Sequence, residues 1–141
     1  MSALTSNQQV IRSDKTRNGV PCAASVHHFE GGLAYVNSSG FADVVTNSGA
    51  NKFAGVVFNE FDNSLGSNGG ANPQTGAAAL DLFTDGVFVL NGSGFTQATV
   101  GQLIYGVDSG TVSATATNNS RIGTCMQYFS ATQIAVRLVF A

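Results

Sequence analysis

Between residues 80 and 140 the chain is cut into short apolar runs, each closed by a turn signal. The runs are Leu80-Asp81-Leu82-Phe83-Thr84-Asp85-Gly86-Val87-Phe88-Val89-Leu90, Gln102-Leu103-Ile104-Tyr105, Thr111-Val112-Ser113-Ala114, Ile122-Gly123-Thr124-Cys125-Met126 and Gln133-Ile134-Ala135-Val136-Arg137-Leu138-Val139-Phe140. Between them stand Asn91-Gly92-Ser93-Gly94, Asp108-Ser109-Gly110, Asn118-Asn119-Ser120 and Ser130-Ala131-Thr132. A strand and a turn every ten residues or so restricts the fold to an antiparallel sandwich or barrel. The last run is the clearest. Side chains alternate along a strand, so Ile134, Val136, Leu138 and Phe140 share one face, and Ala135, Arg137 and Val139 the other.

Upstream, the same reading gives a possible short strand at Ala23-Ala24-Ser25-Val26. Further strands are expected at Leu33-Ala34-Tyr35-Val36, Phe41-Ala42-Asp43-Val44-Val45 and Lys52-Phe53-Ala54-Gly55-Val56-Val57-Phe58. Gly55 inside the last of these points to a bulge or a close backbone approach. Residues 62–76 lose all periodicity and read as a long surface loop, of the kind that is usually functional or mobile. Residues 1–20 are polar, end in an entry turn at Asn18-Gly19-Val20-Pro21, and read as an extended arm. No apolar stripe of helical period has useful length. The expectation is therefore an all-β chain, with an arm at 1–20 and a single β domain at 21–141.

With 141 residues, one domain of this size buries enough surface to fold without metal or disulfide. Charged residues make up 10%, against roughly 25% in ordinary domains. Such a surface relies on neutral polar groups or is covered by partners, which fits a protein that works inside an assembly. A net charge of −2 argues against nucleic acid, whose phosphates call for clustered Lys and Arg. Three of the six basic residues, Arg12, Lys15 and Arg17, lie in the arm. They form either a solvated segment or one that docks on an acidic protein surface. No run approaches the roughly 20 apolar residues that span a bilayer, and no secretory signal is recognisable at the N-terminus. A cytoplasmic site of synthesis is expected, which makes free thiols the default for Cys22 and Cys125.

Candidate chemistry is sparse. Adjacent strand residues His27 and His28 point to opposite faces, so with Glu30 they make a poor metal set, and exposed or partner-facing histidines are expected. Asp81 and Asp85, four apart in a presumed strand, would stand about 13 Å apart, too far for a glycosidase pair. The segment 62–72 holds one carboxylate, Asp62, and lacks the alternating ligands and closing Glu of a calcium loop. Walker, nucleophile-elbow and Cys-x-x-Cys motifs are missing. The expectation is a non-enzyme with no catalytic residues, no metal and no cofactor.

Four segments together resemble the head decoration, or capsid cement, proteins of tailed bacteriophages. They are Gly32-Leu33-Ala34-Tyr35-Val36 with Gly40-Phe41-Ala42-Asp43; Phe53-Ala54-Gly55-Val56-Val57 with Asp62-Asn63-Ser64; Asp85-Gly86-Val87-Phe88-Val89-Leu90 with Val100-Gly101-Gln102-Leu103-Ile104-Tyr105 and Asp108; and Arg121-Ile122-Gly123 with Ile134-Ala135-Val136-Arg137-Leu138. The similarity runs from about residue 18 to the end, and the long loop at 62–76 departs from the usual pattern. The resemblance implies a small antiparallel β-barrel, β-tulip-like or β-sandwich module. It implies binding as a homo-oligomer, a trimer favoured, to the major capsid protein on the outside of a mature shell. The chain is then a virion protein assembled in the host cytoplasm, contacting neither nucleic acid nor membrane. The N-terminal segment of such proteins often contacts the shell, which makes Arg12, Lys15 and Arg17 the expected capsid-binding residues. The alternative is another non-catalytic virion module, such as a tail, fibre or host-surface adhesion domain.

Overall fold

The computed structural model describes residues 17–63 and 79–138. In chain order the strands are β1 (Arg17–Pro21), β2 (His27–His28), β3 (Leu33–Val36), β4 (Ala42–Asp43), β5 (Lys52–Val57) and β6 (Phe61–Asp62). They continue with β7 (Ala79–Phe83), β8 (Val87–Asn91), β9 (Leu103–Gly106), β10 (Val112–Ser113), β11 (Ser120–Ser130) and β12 (Gln133–Leu138). Among the described residues the one helical element is a 3-10 turn at Gln97–Thr99. The all-β class read from the turn spacing is the class observed. The strands form two five-stranded sheets, β1-β7-β5-β3-β4 and β10-β9-β11-β12-β8, and a ribbon of β2 and β6. All strand pairs in the sheets and the ribbon are antiparallel.

The two sheets share one core. Leu33, Tyr35, Phe53 and Val56 of the first meet Leu90, Ile104, Ile122, Cys125, Ile134, Val136 and Leu138 of the second. The face assignment made for the closing strand holds for Ile134, Val136 and Leu138, while Arg137 is exposed. Val139 and Phe140 lie outside the described residues. The first sheet also buries its other face, where Ala34, Ala42, Ala54, Val57, Leu80 and Leu82 pack with Phe61 of the ribbon. A sheet covered on both sides has no reason to alternate, and β5 is accordingly buried from Phe53 through Val57. Removing a buried Leu or Ile side chain from such a core typically costs about 2–5 kcal/mol.

Gly55 sets the register of β5. The pairing of β3 with β5 slips between Ala34 and Tyr35, so that Phe53 and Val56, three apart, both enter the shared core. The extra residue is the bulge expected from the sequence. Gly55 has φ of 152°, and a Cβ there would collide with the Phe83 carbonyl of β7. Close approach and bulge therefore coexist.

The seam between the sheets is polar and specific. The Tyr35 hydroxyl donates to the Asp108 carbonyl at 2.8 Å, above Gly106, whose missing side chain leaves room for the phenol. The Leu33 amide donates to Ser109, and the Ser120 hydroxyl donates to the Asn51 carbonyl. At one end the second sheet curls until Gly92, just past β8, bridges to Val112 of β10.

Three local expectations are corrected. The chain is already paired at Arg17, and residues 17–20, assigned to the arm and its entry turn, form an edge strand against β7. Ala23-Ala24-Ser25-Val26 is not a strand but a turn leading into β2. The run from Leu80 to Leu90 is two strands in different sheets, split at Asp85-Gly86. Residues 1–16 and 64–76, which hold most of the arm and of the long loop, lie outside the described residues.

Tyr35→Phe keeps the ring and deletes the donor, leaving the Asp108 carbonyl without it. A loss of about 1–3 kcal/mol in urea unfolding is expected. Gly55→Ala, which adds both a positive-φ penalty and a backbone collision, is expected to cost more than Tyr35→Phe. The reverse order would show that the bulge relaxes freely.

Candidate functional site

The outward face of the second sheet is its most unusual surface. Direct cross-strand partners share a face, so the register places Val87, Arg137, Thr124 and Leu103 in one row across four strands. Val89, Ala135 and Gln127 make the next row, and Tyr105 with Arg121 lies on the other flank. Val87 is 51% exposed, Val89 53% and Leu103 40%. Met126 and Phe129 also reach solvent. Both sit where β11 slips against β12, between Cys125 and Gln127 and between Tyr128 and Ser130. A bulge residue is freed from the ladder, which is how an apolar side chain of a core strand ends up outside.

The five strands of this sheet contain two arginines, Arg121 and Arg137, and no Asp or Glu. No carboxylate among the described residues pairs with either guanidinium. The face is largely apolar, with two cations that no carboxylate of the described residues neutralises. Two charges are too few for a phosphate-tracking surface. They suit a protein surface that offers carboxylates around an apolar patch, since exposed apolar groups grouped on one face mark interaction sites.

Arg12 and Lys15 lie outside the described residues, and Arg17 is the first residue of β1, its backbone opposite Phe83. Sequence reading missed Arg121 and Arg137 because they are sixteen positions apart. Only the pairing of β11 with β12 and β9 puts them on one face. The alternation that set Arg137 against Ile134, Val136 and Leu138 was the available signal.

The two histidines part company, as alternation requires, but not both to the surface. His27 Nε2 lies 2.7 Å from Glu60 Oε2 and its Nδ1 lies 3.7 Å from Asp62, while its ring stacks on exposed Phe29 at 4.0 Å. Glu30 is not its partner; two acids from the facing segment are. His28 is 1% exposed, which corrects the expectation that both histidines face solvent or a partner. Its Nε2 lies 3.3 Å from the Ala42 carbonyl, so Nε2 carries the hydrogen and Nδ1 is bare. Nδ1 is buried without a hydrogen-bond partner. Burial holds the His28 pKa below its ordinary value, against the opposing pull of the Ala42 hydrogen bond and Asp43. The ring is thus a neutral core residue.

Among the described residues no group of three or more His, Cys, Asp and Glu is placed to hold a metal. Asp85 lies in the turn after β7 and does not share a strand with Asp81. Asp62 pairs in the ribbon, Asn63 anchors that ribbon through its side-chain amide to the Ala23 carbonyl, and the rest of the segment weighed for calcium lies outside the described residues. Cys22 and Cys125 are unpaired and buried in separate clusters. Burial pushes the Cys22 thiol up to about 11.

A cleft of about 310 Å³ opens between the end of β8, the segment from His28 to Leu33, and the turn before β10. It is lined by residues 28–33, 44, 57, 89–91, 109, 110 and 112. Glu30 is the one charged residue that lines it.

His28 makes stability depend on pH with a definite sign. A histidine whose pKa is lower folded than unfolded contributes fully above the unfolded value, 6.5. That contribution is lost as the pH falls from there through the lower folded value. Urea midpoints are expected to fall as the pH drops below 6.5, and His28→Leu is expected to flatten that fall. An unchanged slope in the variant would assign the acid sensitivity to other groups.

No protein-family model, no curated protein and no solved structure matches the chain. The faces and the cleft described above are what bear on its function.

Proposed function

We propose that this chain is a structural virion protein of a tailed phage, which binds the outside of the mature capsid and stabilises it. One observation carries the reading: the carboxylate-free outward face of the second sheet, where Val87, Val89 and Leu103 are exposed beside Arg121 and Arg137. A rigid β face of this kind gains by covering apolar area, and the two guanidinium groups select a partner with carboxylates at matching positions. The major capsid protein is the proposed partner, and a homo-oligomer, a trimer favoured, the proposed binding unit. The low overall charge and the resemblance in sequence support the same reading.

The physics of cementing asks little of each contact. A ligand that binds only the expanded lattice stabilises it by mass action, and many copies act on one shell. The arm residues Arg12, Lys15 and Arg17 are proposed to add to the cationic surface. No catalysis enters this role.

Purified protein is expected to bind expanded, undecorated heads of its cognate phage saturably and to raise their resistance to heat, with unexpanded proheads left bare. Absence of binding to either cognate particle would favour a fibre or adhesion module. The double variant Arg121→Glu, Arg137→Glu is expected to weaken head binding by at least about tenfold, because each substituted charge turns attraction into repulsion. Its unfolding midpoint should stay close to that of the parent, since both side chains are exposed. Full binding by a folded double variant would remove this face from the interface.

A further inference from the structure

The second sheet stops just short of closing on itself. Gly92, past the end of β8, bridges to Val112 of β10, and that single contact does not extend into a ladder. The space left beside it is the cleft of about 310 Å³, lined by residues 89–91 of β8 and by residues 109, 110 and 112. Its volume falls at the lower end of the roughly 300–1,000 Å³ of small-molecule sites.

Residues 28–33 also line the cleft, and this segment is pinned by its backbone. Gly31 donates to the Val57 carbonyl at 2.9 Å, Gly32 to the Phe29 carbonyl at 3.0 Å and Leu33 to the Ser109 carbonyl at 2.8 Å. Gly31 takes φ of 79°, and a Cβ there would meet no atom within 4 Å. The turn favours glycine, and glycine leaves the space beside it open. A lining held this way is formed before any ligand arrives, so little ordering is required on binding.

The polarity of the lining has one sign. Leu33, Val57, Leu90 and Val112 supply apolar surface. Beside it stand acceptors. Glu30 is exposed, and among the described residues no cation pairs with it. Asp108 adjoins the lining, its carboxylate accepting from the Gly110 amide at 2.8 Å. His28 lines the cleft as well, with the lone pair of its buried Nδ1 unmet. No Lys or Arg is among the lining residues. A cleft with low-dielectric walls and polarity of one sign concentrates the field and draws the opposite charge. Phe29, 61% exposed, adds an aromatic ring, whose face also attracts cations.

We infer that the cleft binds a small organic cation: a primary ammonium on an aliphatic stem of about four carbons, the dimensions of a lysine side chain. The ammonium lies by Glu30, and the stem covers Leu33, Val57 and Leu90. A free alkylamine and a lysine of a partner protein present the same chemistry. The site is opposite in sign to the outward face that carries Arg121 and Arg137, and it does not depend on the capsid reading.

Amide NMR titrations of the full-length protein test it. The probes are n-butylammonium, its neutral counterpart n-butanol, and N-acetyl-lysine methylamide. n-Butylammonium is expected to shift the Gly31, Gly32 and Gly110 amides saturably, and to bind at least about threefold more tightly than n-butanol. Glu30→Gln is expected to bring those two affinities together, with an unfolding midpoint that matches the parent's because the side chain is exposed. Equal affinities in the parent would overturn the proposal. So would the absence of saturable shifts at the three glycines, or a preference for the cation that survives Glu30→Gln. Tighter binding of the lysine derivative than of n-butylammonium assigns the site to a partner's side chain, and the reverse order assigns it to a free amine.

Discussion

The Tyr35 hydroxyl, buried between two sheets and donating to the Asp108 carbonyl, is the contact that makes one molecule of two layers. Everything near it is arranged to permit it. Gly106 leaves the space, the register of β3 aims the ring at the second sheet, and the Gly55 bulge brings both Phe53 and Val56 to the same side as the phenol. Burial also holds the Tyr35 proton firmly in place by pushing its pKa up. An ionised phenol would lose the donor and meet a carbonyl oxygen. The seam thus depends on a neutral tyrosine, much as the ribbon side of the fold depends on a neutral His28.

What the sequence disclosed follows from what it can encode locally. Turn residues at regular intervals mark strands whatever their partners, so β3, β5, β8, β9 and β12 were legible, as was the inward face of β12. Gly55 was legible because an isolated glycine in an apolar strand has few reasons to be there. Strand β1 was hidden, since Arg17-Asn18-Gly19 has no apolar pattern; its place is set by β7, which offers an edge. The short ribbon was hidden for a similar reason. Two-residue strands have no period, and β2 is defined by the chain around Phe61 and Asp62 rather than by itself.

The candidate surface was less legible than the fold. Basic residues close in sequence drew attention to the arm, while the pair that shares a face, Arg121 and Arg137, is distant in sequence and joined by strand register. The bulges that expose Met126 and Phe129 have no glycine to announce them. His28 shows the converse limit. Alternation separates it from His27, but which of the two goes inside is decided by the Ala42 carbonyl and the surrounding segments, and no local rule foretells that.

The strands of the second sheet carry no carboxylate, and this bears on how the molecule meets a charged surface. A net charge of −2 conceals an uneven distribution. The acidic residues of the described segments, from Glu30 to Asp108, all lie on the first sheet, the ribbon and the connecting loops, and the strands of the second sheet carry cations only. Among the described residues the carboxylates are thus kept off the strands of the second sheet, while Lys52 on β5 places one cation in the first. Near an acidic surface such segregation favours an approach that presents the face with Arg121 and Arg137. Orientation is then selected during approach rather than by trial after collision.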